Sequence, residues 1–350
     1  MQKDFHFYTI YALARSAGFD TDNAHIIAYS SQHTDDAKYE HALEFENGGR
    51  FQQVLTAHRF FDVDVLGKTT CYRIWIPFHF LPGNLGVDFY ERMLTRANSI
   101  VAQRIVEDFL SSDLKPYSLH RLGIVLHVYA DTWSHQNFVG LTHENMNDIK
   151  ALKIEGETAE SFKALLKDLK RKILEYAAPK LGHAQAGTIP DEPYREWKYK
   201  AHKGKTFHVS NPERSLDAAQ NCYMVLLHFL RRFPQFSPNQ PLPWQGMADK
   251  LNSLFTMKGD LEDRIQAWQK HISEGKFGFA PQDQDVELDY NDRQWFKTAV
   301  EAIKEADKPE RYERKAGFET SDWKYFHDAA AFHRFTALHE VLPAYGIICG

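Results

Sequence analysis

Apolar residues recur at helical spacing along most of this chain. Over 157–178 they fall three and four apart with charged residues between them, which predicts an amphipathic helix. Residues 5–18 end at a glycine and predict a first helix. Asn211 followed by Pro212 is typical of a cap and a first helical position, so a helix to about 233 begins there. Further helices are predicted from Thr21 or Asp22 to about 31 and at 87–110, 118–139, 244–256, 259–272, 291–306 and 321–341, the last capped by Ser321.

Strand signals are weak by comparison. Residues 71–81 are rich in β-branched and aromatic side chains, but Pro77 restricts them to an edge strand or an extended crossing. Residues 179–209 contain several glycines and prolines and predict a long ordered loop. We therefore expect an all-α fold, a multi-helix globular bundle around a central metal-binding helix with little or no β-structure. Residues 1–210 would form the metal-site core and 211–350 a helical region packed on it, as one continuous unit.

The segment 118–139 carries ionisable residues within an otherwise apolar helix. His127, Asp131 and His135 are spaced four apart and His120 lies seven before His127, so a helix brings them to nearly one face. Buried ionisable groups need partners, and first-row metal ions bind this mixture of imidazole and carboxylate. A lone histidine of this kind would more simply be hydrogen-bonded at the edge of the core. For the whole set we favour a metal site.

Residues near the amino terminus could join this site. His6 lies one turn into the first predicted helix, and His33, Asp35 and Asp36 follow the end of the second. The helix dipole disfavours negative charge at a C-terminus, so a nearby cation would explain the two carboxylates. A solvated turn would tolerate either of them equally well.

Three more histidines are candidates, of which His183 carries the most weight. His183 lies between small residues in the loop 181–197, which is either held in fixed geometry near a site or an ordinary turn anchored by Trp197. His58 and His79 stand among aromatic residues and offer no spacing argument. We include His58 and His183 as candidate ligands beside the central helix.

Composition narrows the class of protein. The net charge of −5 and the lack of a long lysine or arginine run argue against binding to long nucleic acid. No segment approaches the roughly 20 apolar residues of a membrane span, and the start does not look like a signal peptide. Cys71, Cys222 and Cys349 are odd in number and far apart, which does not resemble a disulfide framework. We expect a cytoplasmic protein.

The run from His127 through Asp131 to His135, after an early helical histidine and an acidic pair, resembles the zinc-dependent phospholipase C superfamily, which includes the single-strand-specific zinc nucleases. Its members are all-helical and carry a His-x-x-x-Asp motif whose aspartate bridges metal ions. The resemblance implies one to three zinc ions. Secreted members also use an amino-terminal tryptophan as a ligand, whereas this chain begins Met-Gln-Lys-Asp, where Asp4 could substitute. The positions matched are His127 and Asp131 for the motif, His135 for its extended form, His6 for the early histidine, Asp35 or Asp36 for the preceding acid, His58 for an intervening ligand and His183 for a late one.

The chain looks even more like an uncharacterised bacterial family. The shared features are the Asp-Phe-His start, the Gln-His-Thr-Asp-Asp segment and the loop that reads Gly-His, then Pro-Asp, then Trp. That resemblance implies no established activity.

The leading hypothesis for function is a metal-dependent hydrolase of a phosphoester or phosphodiester, phospholipase C-like, with Asp131 bridging the ions. Arg121 or Arg59 could neutralise phosphate, and the substrate would be a small phosphorylated metabolite or a lipid headgroup. A non-catalytic helical protein with a structural metal is the alternative, which a closed four-ligand site would favour. An oxygen-activating helical bundle ranks last because it usually requires paired Glu-x-x-His motifs, and the sequence has none.

Overall fold

The computed structural model of the chain describes residues 1–39, 41–45, 47–57, 68–143, 145–158, 181–303 and 311–349, together with the helical positions Glu160, Lys163 and Lys167. The predicted helix over 157–178 therefore lies largely outside the described residues. The α-helices span Ile10–Ala17, Thr21–Asp36, Lys68–Thr70, Ile76–Phe78, Phe89–Met93, Ile100–Ser111, Ser118–Ser134, Asn211–Arg232, Gln245–Phe255, Leu261–Ser273, Asp283–Val286, Gln294–Ala299, Asp322–Phe335 and Leu342–Ala344. Wider π-helical turns occupy Asp4–Thr9, Cys71–Trp75 and Thr336–Val341.

One helix lies at the centre of the molecule. Every residue of the central helix, Ser118–Ser134, is buried, and it packs against Thr21–Asp36, Asn211–Arg232 and Asp322–Phe335. Because the central helix is buried on all sides, its apolar residues are distributed around the whole helix and do not form a single stripe. The ionisable side chains that it carries are therefore held away from bulk water.

Gly123 lets the central helix approach the helix Thr21–Asp36 very closely. A Cβ atom at Gly123 would lie 2.3 Å from the carbonyl oxygen of Ile27 and 2.6 Å from the Cβ atom of Ser30. Neither neighbour is the flexible end of a long side chain. The two helices must therefore separate if any side chain is placed there.

Gly123→Ala should lower the free energy of unfolding by about 1–3 kcal/mol, because overpacking outweighs the higher helix propensity of alanine. Urea denaturation would measure the change. Gly246 is also helical, and a Cβ atom added there would meet nothing within 4 Å, so Gly246→Ala is the matched control and should be neutral or stabilising. Equal stability of the two variants would contradict the close packing.

The expectation of an all-α fold with little or no β-structure is wrong. Helices account for 56% of the structure and strands for 10%, so the fold is mixed α/β. The strands form three small antiparallel sheets, ordered β1-β2, β3-β4-β5 and β6-β7. Their bounds are β1 Ala42–Glu44, β2 Arg50–Gln52, β3 Lys150–Ile154, β4 Glu196–Lys200, β5 Thr206–Ser210, β6 Val300–Ile303 and β7 Arg311–Arg314.

The strands β4 and β5 lie in the segment predicted as a loop. Trp197 and Tyr199 alternate with lysines along β4, and this alternation is a strand signal. Lys203 and Gly204 both have positive φ, at 60° and 74°, and form the tight turn between the two strands. The glycines and prolines of this region therefore bound the strands and do not indicate a continuous loop.

Other elements differ from prediction for local reasons. Residues 71–78 are helical, not extended, and 79–81 follow the helix end, because a short buried apolar run has no period that distinguishes a helix from a strand. The single helix predicted over 87–110 is two helices, since Asn98 adopts a positive φ and Ser99 caps the second. The helix 291–306 ends early and continues as β6. The second helix is capped by Asp20 and runs on to Asp36.

The remaining helices follow the predictions closely. The first begins as the π-helical turn Asp4–Thr9 and ends before Gly18, whose φ is 119°. Ser321 caps the helix Asp322–Phe335, as expected. None of the helices among the described residues is long and apolar enough to cross a membrane.

Two buried ion pairs join the first helix to the region after residue 260. Arg264 Nε lies 2.7 Å from Asp4 Oδ2, and Arg15 Nε lies 3.0 Å from Asp285 Oδ1. All four side chains are buried, so each charge depends on its partner. These pairs fix the first helix, which carries His6, against the carboxy-terminal half.

Candidate metal centre

The carboxylate of Asp131 lies at the centre of a cluster of histidines. On the central helix itself, His127 Nε2 lies 3.3 Å from Asp131 Oδ2. His135, the residue that follows the last helical position, brings Nδ1 within 3.7 Å of the same oxygen. The spacing of four therefore places both imidazoles beside one carboxylate.

The first helix contributes from the opposite side. His6 Nε2 lies 3.1 Å from Asp131 Oδ1, and the His6 ring stacks on the ring of His127 with centroids 3.9 Å apart. The amino group of Met1 lies 2.8 Å from the same Asp131 oxygen and 3.2 Å from Asp191 Oδ1. The start of the chain, through the π-helical turn at Asp4–Thr9, thus directs polar groups at the centre of the cluster.

His79 and Asp35 complete one side of the cluster. His79 Nδ1 lies 3.2 Å from His127 Nε2, 3.3 Å from Asp131 Oδ2 and 3.7 Å from Asp35 Oδ1. Asp35 is in the last turn of the helix Thr21–Asp36, where the helix dipole disfavours a negative charge. A cation held between Asp35 and these two histidines would compensate that charge.

The loop 181–197, which follows the central helix in the chain, supplies His183 and Asp191 to the other side of the cluster. His183 Nε2 lies 3.5 Å from Asp191 Oδ2, and His135 Nε2 lies 3.5 Å from Asp191 Oδ1. Asp191 ends the short 3₁₀-helix Ile189–Asp191, which holds its carboxylate between the two rings.

Three of the histidines donate one ring N–H to a backbone carbonyl. His79 Nε2 donates to the Thr56 carbonyl at 2.8 Å, and His135 Nδ1 donates to the His79 carbonyl at 2.8 Å. His183 Nδ1 donates to the Gly187 carbonyl at 3.1 Å. Each hydrogen bond fixes the tautomer and leaves the other nitrogen, with its lone pair, facing the cluster. Metal-ligating histidines are oriented in this way.

The charges of the cluster shift the pKa values of its members. Burial alone would raise the pKa of Asp131, but its electrostatic interactions with His135, the Met1 amino group and His127 outweigh burial and hold this pKa well below the usual range. Burial, together with the charge of His127, lowers the pKa of His6. Burial also lowers the pKa of His183 to about 4, despite Asp191. Asp131 is therefore ionised and His6 and His183 are neutral near pH 7, the states that bind metal ions.

The donor atoms fall into three groups, each with its atoms within 4.8 Å of one another. Two of these triplets share His127, and Asp131 contacts a member of each. Buried Nδ1 atoms of His6 and His127 and Oδ1 of Asp191 have no hydrogen-bond partner among the described residues. A buried donor set of imidazole nitrogens and carboxylates fits a divalent first-row metal ion such as zinc. The triplets are His6 with His127 and Asp131, Asp35 with His79 and His127, and His135 with His183 and Asp191.

The cluster opens towards solvent on the side of its outer carboxylates. His6, His127 and Asp131 are fully buried, whereas the side chain of Asp35 is 32% exposed and that of Asp191 is 16% exposed. Solvent therefore reaches the cluster at these two outer carboxylates while its centre stays dry.

The structure brings together six of the predicted ligands and places others elsewhere. His33 Nδ1 faces the hydroxyl of Tyr290, and Asp36 accepts a hydrogen bond from that hydroxyl at 2.9 Å. Both point away from the cluster because adjacent residues of a helix diverge by about 100°. His58 lies outside the described residues. The six that converge are His6, Asp35, His127, Asp131, His135 and His183.

Three other residues that the sequence suggested for the site form ion pairs elsewhere. His120 shares the helix face but bonds to Asp322 at 3.0 Å. Arg121 is paired with Asp108 at 2.8 Å and so does not face the cluster, while Arg59 lies outside the described residues. Asp4, considered as a substitute ligand, is bound to Arg264.

Comparison with known proteins adds the family. A family model matches residues 1–341, nearly the whole chain. The chain belongs to DUF6765. DUF6765 is described as a family of unknown function, and neither a curated protein nor a solved structure matches the chain. Membership in DUF6765 assigns no activity, so the case for a function depends on the geometry of the cluster.

The sequence did not predict two groups of the cluster in this DUF6765 chain, and a third was only a weak candidate. Asp191 and the Met1 amino group do not figure among the predicted ligands, and His79 is only a weak candidate there. No spacing rule connects Asp191 to the central helix, because a loop fold brings it there. The signal available was local: His183 is followed within the same glycine- and proline-rich loop by a Pro-Asp pair.

Asp35 and Asp36 offer a matched test of this geometry. Asp35→Asn removes a charge beside His79 and His127, so metal content measured by elemental analysis should fall. Asp36→Asn makes the same chemical change one residue away, where the carboxylate faces Tyr290 and Lys38, and should leave metal content unchanged. Equal loss of metal in both variants would contradict the assignment.

Proposed function

We propose that this protein is a metal-dependent hydrolase of phosphoesters and that zinc is its metal. The observation that carries the proposal is the convergence of three donor triplets that are linked through His127 and Asp131. A single structural ion needs only four ligands, whereas this cluster offers more donors than one ion can use. Two or three neighbouring ions are the arrangement used for phosphoester hydrolysis.

The chain's own groups fit this chemistry. Clustered divalent ions, when bound, lower the pKa of water and stabilise negative charge on phosphoryl oxygens. Asp131, buried and ionised, holds the positive charge of the site together, and Asp35 and Asp191 flank its opening. The backbone carbonyls that fix His79, His135 and His183 keep these rings in place before any ligand arrives.

Two arginines support an anionic substrate. Arg214 Nη1 lies 3.4 Å from the carbonyl oxygen of Ser134, and Arg96 donates to Asn137 Oδ1, on either side of His135. Within the described ranges neither arginine forms an ion pair with a carboxylate. Cationic groups left without acidic partners beside a metal cluster favour binding of a phosphate-bearing molecule.

The substrate class remains a small phosphorylated metabolite or a lipid headgroup, in keeping with the resemblance to the zinc-dependent phospholipase C superfamily. The net charge of −5 disfavours long nucleic acid. All three cysteines are free thiols, and on this ground we place the protein in the cytoplasm.

Metal analysis of the purified full chain, followed by hydrolysis assays with bis- and mono-p-nitrophenyl phosphate, tests the proposal. We expect one to three zinc ions per chain, hydrolysis that a chelator abolishes, and recovery when zinc is added back. Asp131→Asn protein serves as the inactive reference.

Two results would decide against the proposal. Protein that binds no divalent ion would remove the metal centre altogether. Stoichiometric metal without hydrolysis across a broad panel of phosphoesters would leave a structural role for the cluster.

A further inference from the structure

An apolar loop projects from the molecule on a rigid base. Gly83 N donates to the Leu94 carbonyl at 2.8 Å and Asn84 N to the Arg92 carbonyl at 2.9 Å, which closes the base of the loop 83–94. Asp88 caps the helix Phe89–Met93 within it. The tip is therefore held in one conformation by backbone hydrogen bonds.

The tip exposes large apolar side chains that nothing covers. Val87 is 97% exposed and Leu85 58%, and the rings of Phe89 and Tyr90 are also exposed. Elsewhere in the described chain, Phe332 and Phe335 are exposed one turn apart on a helix, and other exposed residues of this kind, such as Val286, stand apart in sequence. A cluster of apolar residues on a preformed loop indicates a contact surface.

The sheet β3-β4-β5 presents lysines to solvent beside this loop. Trp197 and Tyr199 of β4 face the core, so Lys198 and Lys200 face outward. The residues directly opposite them on β3 are Lys153 and Lys150. Like charges directly opposite on neighbouring strands destabilise a sheet. Lys150 has the carboxylate of Asp148 3.5 Å away, but no described carboxylate pairs with Lys153 or Lys198, so a partner that supplies negative charge would stabilise this pair.

The two features adjoin each other. Lys203, in the turn between β4 and β5, bonds to Glu91 of the apolar loop at 2.8 Å. The ring of Tyr90 lies near that of His143, with centroids 4.2 Å apart, which ties the loop to the segment leading into β3. The apolar loop is therefore joined directly to the sheet that carries the lysines.

We propose that the apolar loop and these lysines form a surface that docks on an anionic phospholipid bilayer. Aliphatic side chains at the tip would enter the boundary between headgroups and acyl chains, while the lysines contact acidic headgroups. Nucleic acid would suit the lysines but offers no environment for Val87 and Leu85. A folded acidic protein would need a complementary apolar pocket, whereas a bilayer accepts the loop without one.

Docking also narrows the proposed substrate. Gly83, at the base of the loop, is four residues from His79 of the metal cluster, a span of at most about 14 Å, so docking at the loop brings the cluster towards the membrane. In this step the inference rests on the proposed phosphoester hydrolysis, and it selects a lipid headgroup over a soluble metabolite. Binding to lipid is itself independent of hydrolysis.

Sedimentation of the full chain with vesicles tests the docking. Vesicles of phosphatidylcholine with roughly one third phosphatidylserine should bind the protein, and pure phosphatidylcholine should bind it at least about tenfold more weakly. Raising the salt concentration should weaken binding to the mixed vesicles. Equal binding to both vesicles, or to neither, would overturn the proposal.

Variants separate the two halves of the surface. Leu85→Ser with Val87→Ser, and separately Lys153→Gln with Lys198→Gln, should each reduce vesicle binding about tenfold. Val286→Ser, an exposed valine elsewhere, is the matched control and should bind as the wild type does. Unchanged binding in the loop or the lysine variant, or tighter binding to single-stranded oligonucleotides than to the vesicles, would overturn the proposal.

Hydrolysis is measured separately in these variants with p-nitrophenyl phosphates. The variants should retain the wild-type rate on these soluble substrates, because neither half of the surface touches the cluster. Vesicle binding by a protein that hydrolyses nothing would defeat the proposed function and leave docking intact. Hydrolysis without vesicle binding would defeat docking alone.

Discussion

Asp131→Asn should lose metal and phosphoesterase activity together. The amide keeps the size of the side chain but removes the negative charge that His6, His127 and His135 surround. Loss of an outer partner of a metal ligand typically costs 10- to 100-fold in affinity or activity, so loss of the central carboxylate should cost about 100-fold or more. The drop should appear in metal content and in the rate of hydrolysis alike.

Elemental analysis and rates with bis-p-nitrophenyl phosphate on the same preparation make the comparison. Asp36→Asn is the control, since it changes a carboxylate of the same region that faces Tyr290. Circular dichroism establishes that both variants are folded. Full metal content and activity in Asp131→Asn would refute the central role of this carboxylate.

Arg264→Met should strongly destabilise the protein. The guanidinium group is buried and bonds to the buried Asp4 at 2.7 Å. Removing one member of a buried ion pair leaves an uncompensated charge, which lowers the free energy of unfolding by about 3–5 kcal/mol. Burial already raises the pKa of Asp4, and without Arg264 nothing comparable opposes it.

Urea denaturation of Arg264→Met, and of the double variant with Asp4→Asn, measures this effect. The double variant should be more stable than the single one, because the unpaired charge is then gone. A single variant within about 1 kcal/mol of the wild type would contradict the burial of this pair.

Periodicity was sufficient to predict the helical core and the middle of the site. The spacing of His127, Asp131 and His135 depends only on helix geometry, and the structure places all three around one centre. The helix that begins at Ser118 and the helix that ends at Ser273 were likewise predicted from apolar spacing and caps. Sequence periodicity thus predicts those features that depend on interactions within one helix.

The rest depended on contacts between distant segments. Asp35 and Asp36 are equivalent in sequence, and only the rotation of the helix against its neighbours decides that Asp35 faces His79. The three sheets were missed because their strands are short and bounded by glycine and proline. His79 directly follows a helical segment whose sequence is typical of a strand, so the direction of its side chain could not be inferred.

The order in which the chain is synthesised constrains when the centre can form. His6 meets Asp131 and, through the cluster, Asp191, while Asp4 beside it pairs with Arg264. At typical rates of translation these partners emerge tens of seconds after the first helix, roughly in that order. The amino-terminal segment must therefore wait, incompletely packed, until three quarters of the polypeptide has left the ribosome. Metal binding at the proposed centre would then be a late event, completed only once the amino-terminal helix has met the segment around Arg264.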